Sequence, residues 1–575
     1  MALHRPLADQ PKHTPVKPEP SNSAQKAEKL SKRWQQMQAD RMPWLVQWQE
    51  IADLMAPRSA GISSKVNLPD TSREGLLFDT TAGDALMTMA GGLMSWMMPA
   101  NEPWFGFDPT RELRGSDRVK KWTQECSELA REYLSNSSYY TEAHEDLLSH
   151  CGFGTSALYY ALEDGKLRFE HLPTASYCIE ENRFGVVDVL FREFEWTIEE
   201  SAKHFGADNL STKSREALAD DTKKLAKIKI LHAVYPRPES ERPDNEIARM
   251  ADWGKAFASY YVELGEKHTL KESGFDYFPF SVGRFLKWTA LEGKTAYGYG
   301  PGFAALPDTR QINFLQMMMD CEAEKRVRPA MIADSRMEGD IVLSAGGITY
   351  IDTGMMEPKP LQIGGDYNVG QDRVKMRQES IRAKFHAQLF NMFEGLDGIR
   401  TATEINERAA EKITAITPAF SRIVNEKHTP MLQGLFNLWM ESGMLPTPPQ
   451  EAIQRVSEFV GIVPNPMVTF SSRLALAIKS LRNIDADRHI QRIVSLAPLR
   501  PEVMEPFDWI RWARGSARDA GVPTDYILDE EVVQQRMEAQ AQAQAQAAQM
   551  QAVEQGAKAV GNLGGVEALK GAMAA

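Results

Sequence analysis

Apolar residues recur at three- and four-residue steps from Leu30 to Met55, through Trp34, Met37, Leu45, Trp48 and Ile51, which predicts one or two helices closed by Pro57. Further helices are predicted at about Thr80 to Met97, stopped by Pro99, at Ser116 to Ser135, and at Thr141 to Gly152. Then the period shortens. Ser156 to Leu162 and Leu167 to Leu172 flank Glu163-Asp164-Gly165-Lys166 as a hairpin, and Val186 to Trp196 reads as a long strand. Thr197 with Glu200 forms a capping box for a short helix ending at Gly206, and Ile228 to Tyr235 and Ser259 to Leu264 resume strand character. Helices and strands that come in blocks, without βαβ alternation, predict an α+β, mainly helical fold.

After Pro301 and Pro307 the helical period returns at Ile312, Leu315, Met318 and Met319 and runs to about Arg328, before Pro329. Ile341 to Ser344, the turn Ala345-Gly346-Gly347 and Ile348 to Ile351 read as a β-hairpin set between two helices. The second of those helices, about Asp366 to Phe390, repeats Val374, Ile381, Phe385 and Leu389, while Arg373, Lys375, Arg377, Arg382 and Lys384 occupy its other faces. A loop, Phe393 to Arg400, holds Gly395 and Gly398 and ends before Thr401-Ala402-Thr403-Glu404, a helix start. From Thr403 a long helix runs through Ile413, Phe420, Leu432 and Trp439, kinked or broken at Pro418 and Pro430 and ended by Gly443. Helices resume from about Asp485. After Ile527 the chain turns Gln/Ala-rich to Met550, too poor in large apolar residues for its own core, so this tail is disordered or bundles between copies.

The 575 residues exceed one ordinary domain, and 43% hydrophobic with 25% charged residues is a globular composition. Cys126, Cys151, Cys178 and Cys321 are scattered, which points to free thiols and away from zinc. Met1 to Arg33 lacks an apolar run and reads as a disordered arm without a secretory signal. Leu76 to Met98 is interrupted by Asp79 and Asp84 and reads as a packed helix, so no membrane span is expected.

Catalytic signals fail one by one. Gly293-Lys294-Thr295 lacks the earlier glycine of a phosphate loop, with Trp288 in its place, and His144-Glu145 has Leu148 where a zinc protease needs histidine. His150 beside Cys151 faces another way on a helix. Trp104, Phe105 and Phe107 have no basic neighbours before Arg111 and read as packing residues, while Tyr297-Gly298-Tyr299-Gly300-Pro301-Gly302 reads as a turn into the next helix. No enzyme, cofactor or metal is expected. A net charge of −12 argues against a tight nucleic-acid binder, and by itself does not choose between a wall past which DNA slides and a protein that never meets DNA.

Phe78-Asp79-Thr80-Thr81-Ala82-Gly83-Asp84-Ala85-Leu86, continuing through Ala90-Gly91-Gly92-Leu93 to Pro99 and Trp104-Phe105, resembles the signature of the head-to-tail connecting (portal) proteins of short-tailed bacteriophages. His171-Leu172-Pro173 through Tyr177, Asp188 to Trp196, Tyr297 to Pro301, Thr401 to Ile405 and the Gln/Ala-rich end are similar to later parts of that family in the same order. The resemblance implies a phage portal fold that forms a homo-oligomeric ring, a dodecamer, at one capsid vertex, where DNA is packaged and ejected. Its regions would be an arm (1–29), wing (30–300), first stem helix (301–328), clip (329–363), second stem helix (364–390) and channel loop (391–400). A long kinked wing helix with its return segment (401–484) and a crown with the Gln/Ala-rich tail, or a helical barrel (485–575), would follow. Arg377, Lys384, Asn391, Glu394, Asp397 and Arg400 would line the DNA channel; Ile341, Gly346, Gly347 and Tyr350 would dock the packaging motor and then the tail adaptor. Implied partners are major capsid and scaffolding proteins, the terminase motor, the tail adaptor, double-stranded DNA and internal core proteins at the crown, in a virion assembled in the host cytoplasm. A non-portal scaffold or tail structural protein, or a virion enzyme, stays open at this point.

Overall fold

In the computed structural model the described residues are 2–4 and 23–550, apart from 60, 64–76, 244–248, 290–294, 362–366, 391–416, 456–460, 473–488, 503–506, 520–531 and isolated positions. The chain divides into a unit Met1–Ile478 and a unit Lys479–Ala575.

The centre of the first unit is a five-stranded antiparallel sheet, in spatial order Tyr177–Glu181, Val187–Thr197, Lys227–Pro236, Phe257–Glu263 and His268–Phe275. Side chains alternate across a strand, so Leu231, Ala233 and Tyr235 face one way and Ile230 the other. Onto the first face helix Ser23–Met55 lays Ala27, Leu30, Trp34 and Met37, against Phe191, Ala258 and Val262. The opposite face is covered by Ile198, Phe205 and Leu210, on and after the short helix whose Thr197–Glu200 capping box the sequence predicts. A smaller sheet orders Phe280–Arg284, Thr155–Glu163 and Lys166–Leu172; the last two form the expected hairpin. Helices Thr81–Met97, Asp117–Ser135 and Tyr139–Phe153 complete the predicted helical layer.

Several expectations are corrected. Residues 1–29 are not wholly a loose arm: the first helix starts at Ser23 because Ala27 is buried in the core and Lys26 bonds Glu241 at 2.9 Å, and Ala2–His4 pairs with Gly461–Val463. Pro43 lies within this continuous helix. The strand His268–Phe275, missed in the sequence, is held by backbone pairing to Phe257–Glu263 despite the polar run Lys271-Glu272-Ser273. Of the hairpin expected over Ile341 to Ile351, only the turn is present: Gly347 N–H donates to Ser344 O at 2.9 Å, and the described flanking residues form no strand. The pairing lies outside it, between Met331–Ile332 and Lys359–Pro360. Two-residue strands suffice to close the neck of a long loop, while Ile348 and Tyr350 gain no layer to pack on and stay exposed. The helix expected over 366–390 is broken into Tyr367–Lys384 and Ala387–Phe390 by His386, at φ 50°. In the second unit, Trp509–Asp519 and residues 535–547 are helical, and the latter stretch is exposed throughout.

The glycine-rich run Tyr297 to Gly302 proves to be a backbone seam. A Cβ on Gly302 would stand 2.1 Å from Gly152 O, one on Gly298 2.4 Å from Gly154 O, and one on Gly300 2.8 Å from Gly154 Cα. Gly154, at φ 73°, ends the helix Tyr139–Phe153, and the helix Pro301–Val327 starts directly on it. Backbone contact of this kind fixes where the long helix leaves the body. Replacing Gly302 with alanine is expected to lower stability by about 1–3 kcal/mol, because the obstructing atom is main chain and cannot rotate away; denaturant midpoints of G302A against wild type measure it, and equal midpoints refute the seam.

Candidate functional site

The helix Pro301–Val327 and the helix Tyr367–Lys384 pack antiparallel: Asp308 meets Arg377 and Lys384, while Gly370, at the other end, faces Met319. Ile312, Val374 and Ile381 form the apolar seam, and on its early part sits a charge. Asp308, with only 7% of its side chain exposed, accepts hydrogen bonds from Arg377 Nη1 at 2.6 Å, Ser380 Oγ at 2.7 Å and Lys384 Nζ at 2.6 Å. Burial pushes the Asp308 carboxyl up, but the bonds from Lys384, Ser380 and Arg377 outweigh it and hold it below the usual carboxylate range. The pair is tied to the helical layer through the same stretch that carries the family signature. Phe78 N–H donates to Asn313 Oδ1 at 2.7 Å and Gln378 Nε2 to Asp79 Oδ2 at 3.0 Å, one bond to each helix.

Beyond His386 the short helix Ala387–Phe390 ends on the helix Thr81–Met97, where the Phe390 ring lies over Gly92, edge-on to Trp96 at 5.6 Å. The chain is next described at Thr417. Its helical turns give way to a π-helical segment, Val424–His428, followed by helix Thr429–Glu441. Pro430 lacks the N–H that Glu426 O would receive in an α-helix, and its ring crowds that carbonyl, so the wider turn falls where the sequence places a kink.

This segment is fastened by buried charges. Lys427 Nζ bonds Asp146 and, at 2.5 Å, Ser156 Oγ; Ser281 Oγ donates to the Lys427 carbonyl at 3.1 Å. Glu426 accepts from Arg284 Nε at 3.1 Å, and Arg284 also donates to Glu181 and Gly185 O, both at 2.7 Å. Burial opposes the Asp146 charge, but Lys427 and His171 hold the carboxyl well below its usual range. Burial likewise draws the Lys427 ammonium down, against the pull of Asp146. His150 and His428, buried beside Lys427, are held neutral, each pushed down to about 3 by burial and then by the lysine. Ser149, His171 and Asp146 have the residue types of an acyl-transfer triad, but Ser149 is buried, His171 Nδ1 stands 3.9 Å from Asp146, and that carboxylate is held by Lys427.

Of the residues expected in a DNA channel, Arg377 and Lys384 come together on Asp308, whereas Asn391, Glu394, Asp397 and Arg400 lie outside the described residues. The start of the long helix expected at Thr401 to Glu404 also lies outside them. Of those expected to dock partners, Tyr350 is 88% exposed, Gly346 takes φ 76° in the turn, Gly347 follows it, and Ile341 is half-buried. Asp308 was missed, although its place four residues before Ile312, on the apolar stripe, is a legible signal. Lys427 and Asp146 carried no such signal, since the sequence places them 281 positions apart. The thiols behave as expected: Cys126, Cys151 and Cys178 are free and buried, the first pushed up to about 12 by burial, and Cys321 is free and exposed. Among the described residues no cluster of side chains is arranged to hold a metal, and no helix is long and apolar enough to cross a membrane.

What the described residues share is a set of fixed joints between the helical layer, the sheets and the long helices. The family model described as bacteriophage head to tail connecting protein matches residues 27–528, and the chain belongs to that family. It is similar to the probable portal protein of Bordetella phage BPP-1, 30% identical over 552 residues, 94% of this chain and 96% of that protein. The portal protein of Salmonella phage epsilon15 is 26% identical over 547 residues, 92% of this chain and 94% of that protein. A chain from the neck of a native gene transfer agent particle, solved with C12 symmetry, is 11% identical with a TM-score of 0.32, over 72% of this chain and 86% of that chain. The protein is a head-to-tail connector of a phage, a virion component.

Two outcomes follow from the buried charges. Lys427→Met leaves Asp146 ionised without its partner and is expected to cost about 3–5 kcal/mol, whereas Lys427→Met combined with Asp146→Leu recovers most of it; a double-mutant cycle by urea unfolding measures both, and additive losses refute the pairing. His150 and His428 have depressed values, so the unfolded chain binds their protons below about pH 6.5 and the folded chain only near pH 3. Their contribution is complete above pH 6.5 and drains as pH falls toward 3. The unfolding midpoint is expected to drop across that window, less steeply in His428→Phe; equal slopes refute it.

Proposed function

We propose that the protein acts as the portal of its virion: a ring, dodecameric by family resemblance, through which double-stranded DNA is packaged and later ejected. On this reading residues 30–300 are the wing, 301–328 and 364–390 the stem, 329–363 the clip and 391–400 the channel loop. The antiparallel pair of long helices carries the reading. It leaves the sheet body at the glycine seam, bears a long neck-closed loop at its far end, and returns to the body beside Gly92, immediately before residue 391. Phe314, Met318 and Val327 on one helix and Val369 and Met376 on the other are exposed in the single chain, apolar surface suited to neighbouring subunits.

The clip presents Ile332, Ile348, Tyr350 and Leu361, all exposed, to the terminase motor and then to the tail adaptor. Major capsid and scaffolding proteins surround the wing, internal core proteins meet the crown, and assembly takes place in the host cytoplasm. Within the channel Arg400 touches phosphate while Glu394 and Asp397 repel it, so DNA passes without being held.

Deleting Gly395 to Gly398 is expected to leave the ring intact and to lower DNA packaging or retention; particles that fill and keep a full genome would exclude a channel role for this loop. Gly346→Val with Gly347→Val forces β-branched side chains into a turn that uses φ 76° at its first glycine. Rings of normal size with reduced tail attachment are the expected outcome, and undiminished attachment removes the clip from docking.

A further inference from the structure

Arg377 and Lys384 are basic residues of the second stem helix, yet both are already bound to an anion. We propose that Asp308 acts as an internal stand-in for phosphate, occupying Arg377 and Lys384 so that the channel wall does not grip passing DNA. The inference rests on the channel reading above and adds to it the residue that sets how weakly the wall binds.

Three features point beyond simple packing. First, one carboxylate collects two cations and a hydroxyl, all at 2.6–2.7 Å, so its lone pairs are engaged as those of a bound phosphate would be. Second, exposure is unequal: Asp308 is sealed at 7%, while Arg377 and Lys384 remain 39% and 33% exposed. The anion cannot leave, but each cation retains a solvent-facing side from which a rotamer change would carry it outward. Third, Arg377, Ser380 and Lys384 lie at steps of three and four, on one face of the helix, so a single partner on the facing helix satisfies all three. An apolar residue at 308 would continue the Ile312 stripe and leave both cations free; aspartate at that position neutralises them. Repeated round a ring, two released cations per subunit would turn a weakly contacting bore into a basic collar.

The test uses rings assembled from the full-length chain and linear double-stranded DNA, with affinity followed by anisotropy between about 50 and 200 mM salt. Each additional phosphate contact steepens the dependence of log affinity on log salt by about 0.9. Asp308→Asn, which keeps the shape and removes the charge, releases two cations in every subunit and is expected to steepen it by at least two such steps, an extra change of roughly tenfold or more across that range. Adding Arg377→Gln and Lys384→Gln to Asp308→Asn is expected to abolish the gain. An unchanged slope in assembled D308N rings, or a gain that survives in the triple variant, overturns the proposal. Should D308N fail to form rings, Asp308→Asn with Arg377→Gln, which leaves less uncompensated charge in the joint, is expected to gain at least one step, and no gain overturns it as well. Arg400→Gln separates the two readings: if it lowers the wild-type slope while D308N changes nothing, the channel stands and the stand-in falls; if no variant alters the slope, both fall.

Discussion

The union of Lys427 with Asp146 is the constraint on which the rest of the architecture hangs. Removing a lysine and an aspartate from water costs several kcal/mol for each, so the pair persists only where surrounding groups complete it. Ser156 and the neutral imidazoles of His150 and His428 surround it, and Tyr139 and Met431 help close the small cavity at its side. Asp146 lies on the helix Tyr139–Phe153, Ser156 on the strand Thr155–Glu163 and Lys427 in the π-helical turn, so the ion pair and the Lys427–Ser156 hydrogen bond together join three elements. The adjacent Glu426 does the same on the other side, through Arg284, to the strand Phe280–Arg284 and the turn at Gly185. A proline-enforced π turn thus delivers two neighbouring charges to two different anchors.

Around that junction the long helices are set by contacts of another kind. Glycine against glycine allows main chain to meet main chain where Pro301–Val327 departs, and no side chain can substitute there without moving an element. Phe390 over Gly92 makes the corresponding contact where the chain comes back, although there the opposing atoms belong to a ring. Between these ends the seam is apolar but carries Asp308. A carboxylate on the seam holds three groups of the facing helix and thereby fixes their register, which Leu or Ile there would not do.

Helix and strand blocks, the Thr197 cap, the 155–172 hairpin and the proline-marked kink were legible because each depends on neighbours within a few residues, and the signature from Phe78 to Leu93 identified the family. Strand His268–Phe275 was not legible, since an edge strand with Lys271 and Glu272 owes its form to Phe257–Glu263 beside it. The expected hairpin near Gly346 kept its turn but not its strands, for turn residues act locally and ladders need a layer to pack on. The basic residues of the helix Tyr367–Lys384 were legible as a list, but not which of them are already paired. By itself the sequence determined the periodicities, the turn chemistry and the family. Only the tertiary structure decided which charges are spoken for: Arg377 and Lys384 by Asp308, Lys427 by Asp146, Arg284 by Glu426. The reason is physical: an ion pair depends on distance in space, and partners 69 to 281 positions apart leave no periodic trace along the chain.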